Sequence, residues 1–270
     1  MTTDTTIAPP TVTSKDGTTI AYEKIGTGPA LVLVDGAMCY RDFGPCRSLA
    51  THLSGSYTVY FYDRRGRGAS GDSPEYAPER EFEDLAAVIG AAGGDAYVLG
   101  FSSGGALALQ AAASGVRMTK LASYEAPFIG PVVVKGKTVD TLAELRSRLA
   151  RGDRSGAVGY FMVEMVGGPA FLPFMMKYLM PKVGKQLAAV AHTLPYDVEL
   201  MRGFVVPAAE LARITTPTLV MGGSKAKPNM VAAVQGVAAA IPGAELRTLA
   251  GQTHQVKDEA IAPEILEFFR

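Results

Sequence analysis

The chain alternates two hydrophobic periodicities along its length. TTIAYEKIG alternates β-branched and polar positions, and ALVLVDG and YTVYFYD then give short continuous apolar runs bounded by Gly and Asp. Such runs predict strands covered on both faces, since neither set of alternating side chains meets water. From Arg80 to Ala92 the spacing changes to that of a helix, with Phe82, Leu85, Val88 and Ile89 on one face. A strand AYVLGF, a helix SGGALALQAAAS and a strand MTKLASYE follow, and PTLVMGG, PNMVAAVQGVAAAI, AELRTLAG and DEAIAPEILEFF repeat the alternation near the C-terminus. Strand and helix in this order predict the α/β class, a mostly parallel central sheet with helices on both faces.

Between about Gly130 and Arg213 the rhythm breaks. Helical segments such as Thr141 to Arg151 and Phe171 to Val190 occur there with no strand runs between them. The predicted organisation is a mobile tail over 1–12, a core domain formed by 13–129 and 214–270, and a helical insertion over 130–213. Six methionines (Met162, Met165, Met175, Met176, Met180 and Met201) lie in the insertion beside Phe161, Phe171, Phe174, Tyr178 and Tyr196. They read as a small helical core, because Met fills irregular gaps, or as a deformable apolar lid over a ligand. The two readings are compatible.

Composition narrows the partners. Twenty-six basic and 26 acidic side chains cancel to a formal charge of zero, which removes the electrostatic footprint of a nucleic-acid binder or of a protein held on an anionic membrane. The most apolar stretch, Ala96 to Gly115, is interrupted by Ser102, Ser103, Gln110, Ser114 and several glycines, so it is not a spanning helix. Two cysteines, Cys39 and Cys46, make no disulfide framework and no metal-ligand cluster, and the first residues lack the basic and apolar regions of a secretory signal. The expectation is a cytoplasmic monomer or homodimer acting on a small molecule. The glycine-rich pieces lack the Lys-Ser/Thr ending of a P-loop and the spacing of a dinucleotide fingerprint, so no cofactor is implied.

One motif carries chemistry. Gly100-Phe101-Ser102-Ser103-Gly104 reads G-x-S-x-G between the strand AYVLG and the helix GGALALQAAAS. There a strained strand-to-helix turn would hold Ser102 Oγ clear of the sheet, with glycine two residues to either side because the backbones crowd together. A serine hydroxyl needs an adjacent base, and the chain has three histidines. His52 ends a helix remote from the strand tips, and His192 lies in the insertion. His254 follows the last strand, in a Gly-Gln-Thr-His loop at the carboxyl edge where α/β ligand sites gather. His254 is therefore the candidate general base.

With these motifs in place, the sequence resembles the α/β-hydrolase superfamily over nearly its whole length. LVLVDGAM lies where that family has a strand ending in His-Gly, YDRRGRGAS is similar to its Asp-x-Arg-Gly-x-Gly-x-Ser turn, and PTLVMGG and GQTH resemble its penultimate strand and histidine loop. The insertion matches the position of its cap. The resemblance implies the α/β-hydrolase fold and a triad whose acid usually follows the strand represented by PTLVMGG. Here that stretch continues Ser224-Lys225-Ala226-Lys227-Pro228, without a carboxylate. Glu125, at the end of the preceding strand LASYEAPF, is the candidate acid and keeps the chain order Ser, acid, His. Otherwise Glu125 caps or salt-bridges the start of the insertion, and Asp258 is the fallback.

The resemblance also implies an oxyanion hole from the N–H of Ser103 and that of Ala37, with Met38 the near alternative. Asp35 replaces the family's usual His, either to hydrogen-bond the loop backbone or to contact a polar substrate group. Met38 and Tyr40 on that loop, with Phe161, Met165 and Phe174 of the insertion, are the candidate substrate-binding residues. Asp63, Arg65, Gly66, Gly68 and Ser70 read as a structural turn. The function expected is a serine hydrolase that cleaves an ester or lactone of a moderately apolar small molecule through an acyl-enzyme on Ser102. The alternatives are a carbon–carbon bond hydrolase and a binding protein with weak or no turnover.

Overall fold

In the computed structural model, which describes residues 8–134 and 136–270, eight strands form one sheet. These are β1 (Thr11–Thr13), β2 (Thr19–Ile25), β3 (Ala30–Val34), β4 (Thr58–Tyr62), β5 (Ala96–Phe101), β6 (Leu121–Tyr124), β9 (Thr218–Gly223) and β10 (Glu245–Leu249), in the order β1-β2-β4-β3-β5-β6-β9-β10. β1 and β2 run antiparallel to their neighbours, and the other pairings are parallel. Residues 1–7 of the expected tail lie outside the described residues. Of the rest, Thr11 and Val12 belong to β1, in which Thr11 to Thr13 pair with Thr19 to Ala21. Backbone pairing at the sheet edge orders this stretch where side-chain pattern gave no sign of it.

The continuous apolar runs divide between two helical layers. On β3, Val32 and Val34 enter one core with α2 (Pro78–Ala91), α3 (Ser103–Ala113) and α10 (Pro228–Ala240). Leu31 and Leu33 enter the other with α1 (Cys46–Leu53) and α11 (Asp258–Phe268). Alternation in space thus underlies continuity in sequence. Helix α2 buries all four residues of its predicted apolar face, and also Glu81 and Asp84.

Between β6 and β9 lie a two-stranded hairpin, β7 (Val133–Val134) with β8 (Lys137–Thr138), and helices α4 (Thr141–Ala150), α5 (Arg154–Tyr160), α6 (Leu172–Tyr178), α7 (Pro181–Ala189), α8 (Leu194–Leu200) and α9 (Ala208–Leu211). The hairpin is a small exception to the expected absence of strands. The helical stretch expected from Phe171 to Val190 is divided at Pro181, which opens α7 at its first position and cannot continue α6. A third hydrophobic cluster fills the insertion, with Leu145, Val158, Phe161, Met176, Leu187 and Leu194 among its members.

Candidate active site

The turn between β5 and α3 has the strain that the glycine spacing predicts. Ser102 sits at φ 53°, ψ −125°, a conformation that L residues rarely adopt. A Cβ on Gly100 would lie 2.4 Å from the Gly104 carbonyl oxygen, and one on Gly104 would lie 2.3 Å from that of Val34. Neither backbone could approach so closely with any side chain present. The Ser102 N–H donates to the Tyr124 carbonyl at 2.9 Å, so the neighbouring strand secures the strained residue.

Ser102 Oγ lies 3.1 Å from His254 Nε2, and His254 Nδ1 lies 2.7 Å from Glu125 Oε2. Glu125 is fully buried, with a left-handed φ of 48°, one residue beyond β6. Its second oxygen, Oε1, accepts the N–H of Gly223 at 2.8 Å, from the end of β9. The empty acid position after PTLVMGG therefore still serves the carboxylate, through its backbone. Gly223 also admits the histidine loop, because a Cβ there would lie 2.3 Å from the Gln252 carbonyl oxygen. Tyr124 anchors that loop by donating its hydroxyl to the Thr253 carbonyl at 2.5 Å. Asp258 is engaged elsewhere, accepting from Ser48 Oγ at 2.5 Å with His52 Nδ1 3.4 Å away. His192 stands 3.6 Å from Asp72, in the insertion as expected.

The loop after β3 runs beside Ser102. A Cβ on Gly36 would lie 3.1 Å from that of Ser102, and the half-buried Ala37 follows. Among the described residues, no hydrogen bond occupies the N–H of Ala37 or of Ser103. Two free donors beside one hydroxyl are what a developing oxyanion requires. Asp35 is buried among Cys39, Gly44 and Cys46, and its Oδ1 has no hydrogen-bond partner. Burial raises its carboxyl to about 7, although Cys46 and the Arg67 and Arg64 guanidiniums pull the other way. Oδ1 is left without a partner, while the backbone and thiol of Cys46, where the loop enters α1, hydrogen-bond the Asp35 carboxylate.

The profile of the Alpha/beta hydrolase family matches residues 31–262. An alpha/beta hydrolase from Sphaerobacter thermophilus DSM 20745 is 47% identical, over 97% of this chain and 100% of its own, with a TM-score of 0.86. This chain belongs to the alpha/beta hydrolase family. A hydrolase from Pseudomonas aeruginosa PA01 shares 24% identity over 96% of this chain and 97% of its own (TM-score 0.68). The enol-lactonase from Burkholderia xenovorans LB400 shares 20% identity over 96% and 99% (TM-score 0.67). These two share the fold. No curated protein matches the chain.

Three arginines that the sequence assigned to a turn, or passed over, are buried in this alpha/beta hydrolase. Arg65 pairs with Asp84 at 2.7 Å and Asp16 at 3.0 Å. Arg64 pairs with Glu81 and with Asp197 of α8, and Arg67 pairs with Asp197 at 2.7 Å. Asp197 also accepts from Ser103 Oγ at 2.8 Å. Burial pushes the Asp197 carboxyl up, but Arg67 and Arg64 outweigh it and hold the group below the usual carboxylate range. The run Arg64-Arg65-Gly66-Arg67 was the available signal, since so many adjacent cations require anions wherever they are buried. Which anions, the sequence did not say.

The candidate substrate-binding residues separate. Met38, Phe161 and Met165 are buried in the insertion's cluster, against which Ala37 and Tyr40 pack. Phe174 stands apart: it is 62% exposed and packs on Tyr178 with ring centroids 4.7 Å apart. On the short helix α6 the inward position is taken by Met176. A surface cleft lined by Pro78, Val132, Thr141, Val198, Arg202 and Phe204 reaches none of Ser102, Glu125 and His254. No helix among the described residues is long and apolar enough to cross a membrane.

Proposed function

We propose that this alpha/beta hydrolase is a serine hydrolase that cleaves an ester or lactone bond of a small, moderately apolar molecule through an acyl-enzyme. The observation that carries the reading is the unbroken chain from Ser102 Oγ through His254 to the buried Glu125, at 3.1 and 2.7 Å. In this reading His254 Nδ1–H donates to Glu125, which fixes the tautomer that leaves Nε2 free to accept the Ser102 proton. Ser102 Oγ attacks the carbonyl carbon, and the N–H groups of Ser103 and Ala37 receive the developing oxyanion. The imidazolium then protonates the departing alcohol oxygen. Water, deprotonated by His254, releases the acid from Ser102 and restores the site.

The apolar surroundings of the oxyanion loop, formed by Met38, Tyr40, Phe161 and Met165, favour an uncharged substrate. The lactone in the name of the Burkholderia enol-lactonase, which shares the fold, places a cyclic ester among the first substrates to try. Glu125, at hydrogen-bonding distance from His254, supports the catalytic reading over that of an inactive binding protein.

A fluorophosphonate probe tests the reading directly. Labelling of the wild-type protein at Ser102, abolished in Ser102→Ala and accompanied by hydrolysis of p-nitrophenyl esters or of lactones, is the expected result. A folded wild-type protein that takes up no label and turns over none of these substrates would exclude it.

A further inference from the structure

We propose that Arg67, held by Asp197 of the helical insertion, is a positioning residue that aims and strengthens the second oxyanion donor, the N–H of Ala37. This rests on the serine-hydrolase reading of the site. Arg67 is 1% exposed, yet one arm of its guanidinium ends on backbone: Nη1 donates to the Gly36 carbonyl at 2.8 Å and, more weakly, to that of Cys39 at 3.4 Å. The Gly36 carbonyl and the Ala37 N–H belong to one trans peptide unit, so they point in opposite directions across a rigid plane. Fixing the carbonyl fixes the N–H. A cation on the carbonyl also polarises the amide, which makes its N–H a better donor to a developing anion.

The rest of the guanidinium is anchored from the insertion. Nε donates to Thr193 Oγ1 at 3.1 Å and Nη2 to Asp197 Oδ2 at 2.7 Å. The other oxygen of Asp197 accepts from Ser103 Oγ at 2.8 Å and from Arg64 Nη1 at 2.9 Å, and that same Arg64 nitrogen reaches the Asp35 carbonyl at 3.3 Å. One buried carboxylate on α8 thus braces both donor segments, the start of α3 and the loop after β3. A purely structural ion pair has no need to end on the carbonyl next to a catalytic amide. Arg65, equally buried two residues away, pairs with Asp84 and Asp16 and also donates to a backbone carbonyl, that of Arg80 at 3.0 Å, but touches neither donor segment.

The test compares Arg67→Gln and Arg67→Lys with Arg65→Lys, counting competent sites by the endpoint of fluorophosphonate labelling so that any unfolded fraction drops out. The second readout is inhibition by phenylboronic acid. Ser102 Oγ adds to the trigonal boron, its proton passes to His254, and the resulting tetrahedral borate places an oxygen where the oxyanion forms. The expected result for Arg67→Gln is a fall in kcat per labelled site of about tenfold to a hundredfold, with KM within about threefold. The boronate Ki should rise by the same factor, with Arg67→Lys between the extremes. Arg65→Lys should lower Tm and leave kcat and the boronate Ki unchanged. Should Arg67→Gln not fold, Arg67→Lys and Thr193→Val, which removes the Nε anchor, carry the same comparison. Arg67 variants that keep wild-type kcat per site, or lose kcat with no change in boronate Ki, would overturn the proposal. An unlabelled, inert wild-type protein would instead overturn the serine-hydrolase reading beneath it, before any variant is made.

Discussion

At Glu125 the two carboxylate oxygens have different duties: Oε2 faces His254 Nδ1 and Oε1 accepts the Gly223 N–H. A glutamine can satisfy both only by turning its oxygen to Gly223 and its amide hydrogens to Nδ1. That orientation forces the imidazole proton onto Nε2, where it blocks acceptance of the Ser102 proton. Glu125→Gln should therefore fold normally and lose about 10² to 10⁴ in kcat, measured against an ester that the wild type cleaves. Asp35 supplies a stability prediction. Its carboxyl, raised by burial to about 7 from 3.8, stays protonated in the folded protein while the unfolded chain ionises. Stability from this group is complete below pH ~4, declines as pH rises to ~7 and is then level. Asp35→Asn does not titrate, so its stability relative to the wild type should improve across that window by up to about 4 kcal/mol. Thermal unfolding from pH 4 to 8 checks it, and a pH-independent gap between the two proteins would exclude the assignment.

At the scale of elements, strain collects where the strands end. Met38, Ser102 and Glu125, three of the non-glycine residues with positive φ, sit on the loops that follow β3, β5 and β6. Adjacent parallel strands deliver the loop of Ala37, Ser102 and Glu125 to one edge, and the loop after β10 adds His254. This contact depends on glycines that no helix or strand propensity would favour. Gly104→Ala would push a methyl group to 2.3 Å from the Val34 carbonyl oxygen, so β3 and α3 must part. It should cost several kcal/mol, on the order of other severe overpacking, or prevent folding. Gly90→Ala in α2 meets no atom within 4 Å and should stabilise by about 0.5–1 kcal/mol through helix propensity. Chemical denaturation of the two variants gives the contrast in sign.

For the whole molecule, the decisive joint is that between insertion and core. Asp197 is fully buried against Arg64 and Arg67, so removing it leaves the Arg67 guanidinium without a carboxylate partner away from water and Arg64 with Glu81 alone. Asp197→Ala should cost about 3–5 kcal/mol in equilibrium unfolding. The exposed pair Arg146–Glu199, with Arg146 60% exposed, makes the opposite case, and Glu199→Gln should cost no more than about 1 kcal/mol. Similar losses in the two variants would mean that burial does not govern these ion pairs. The sheet carries Ser102 and Glu125 at its strand ends, and the insertion contributes both an apolar cluster against Ala37 and the anion that organises the arginines. The zero net charge of the chain therefore conceals a concentrated internal charge network.

The hydrophobic periodicities alone determined the α/β layering, because each run reflects how many faces of a strand or helix are covered, which is a local property of the chain. Ser102 was legible for the same reason: the elbow is a contiguous strand-turn-helix whose glycines mark the crowding. The place of His254 at the carboxyl edge followed from its position after the last strand, and Glu125 was sought through the family resemblance, at the end of β6, because parallel strands send their C-terminal ends to one edge. What only the tertiary structure decided involves partners far apart in sequence. The Gly223 N–H on the second oxygen of Glu125, the burial of Glu81 and Asp84, and the meeting of Arg64 and Arg67 with Asp197 about 130 residues away leave no periodic trace. A charged residue in a sequence looks like surface until its counter-ion is brought to it, and that encounter is set by the packing of the whole chain.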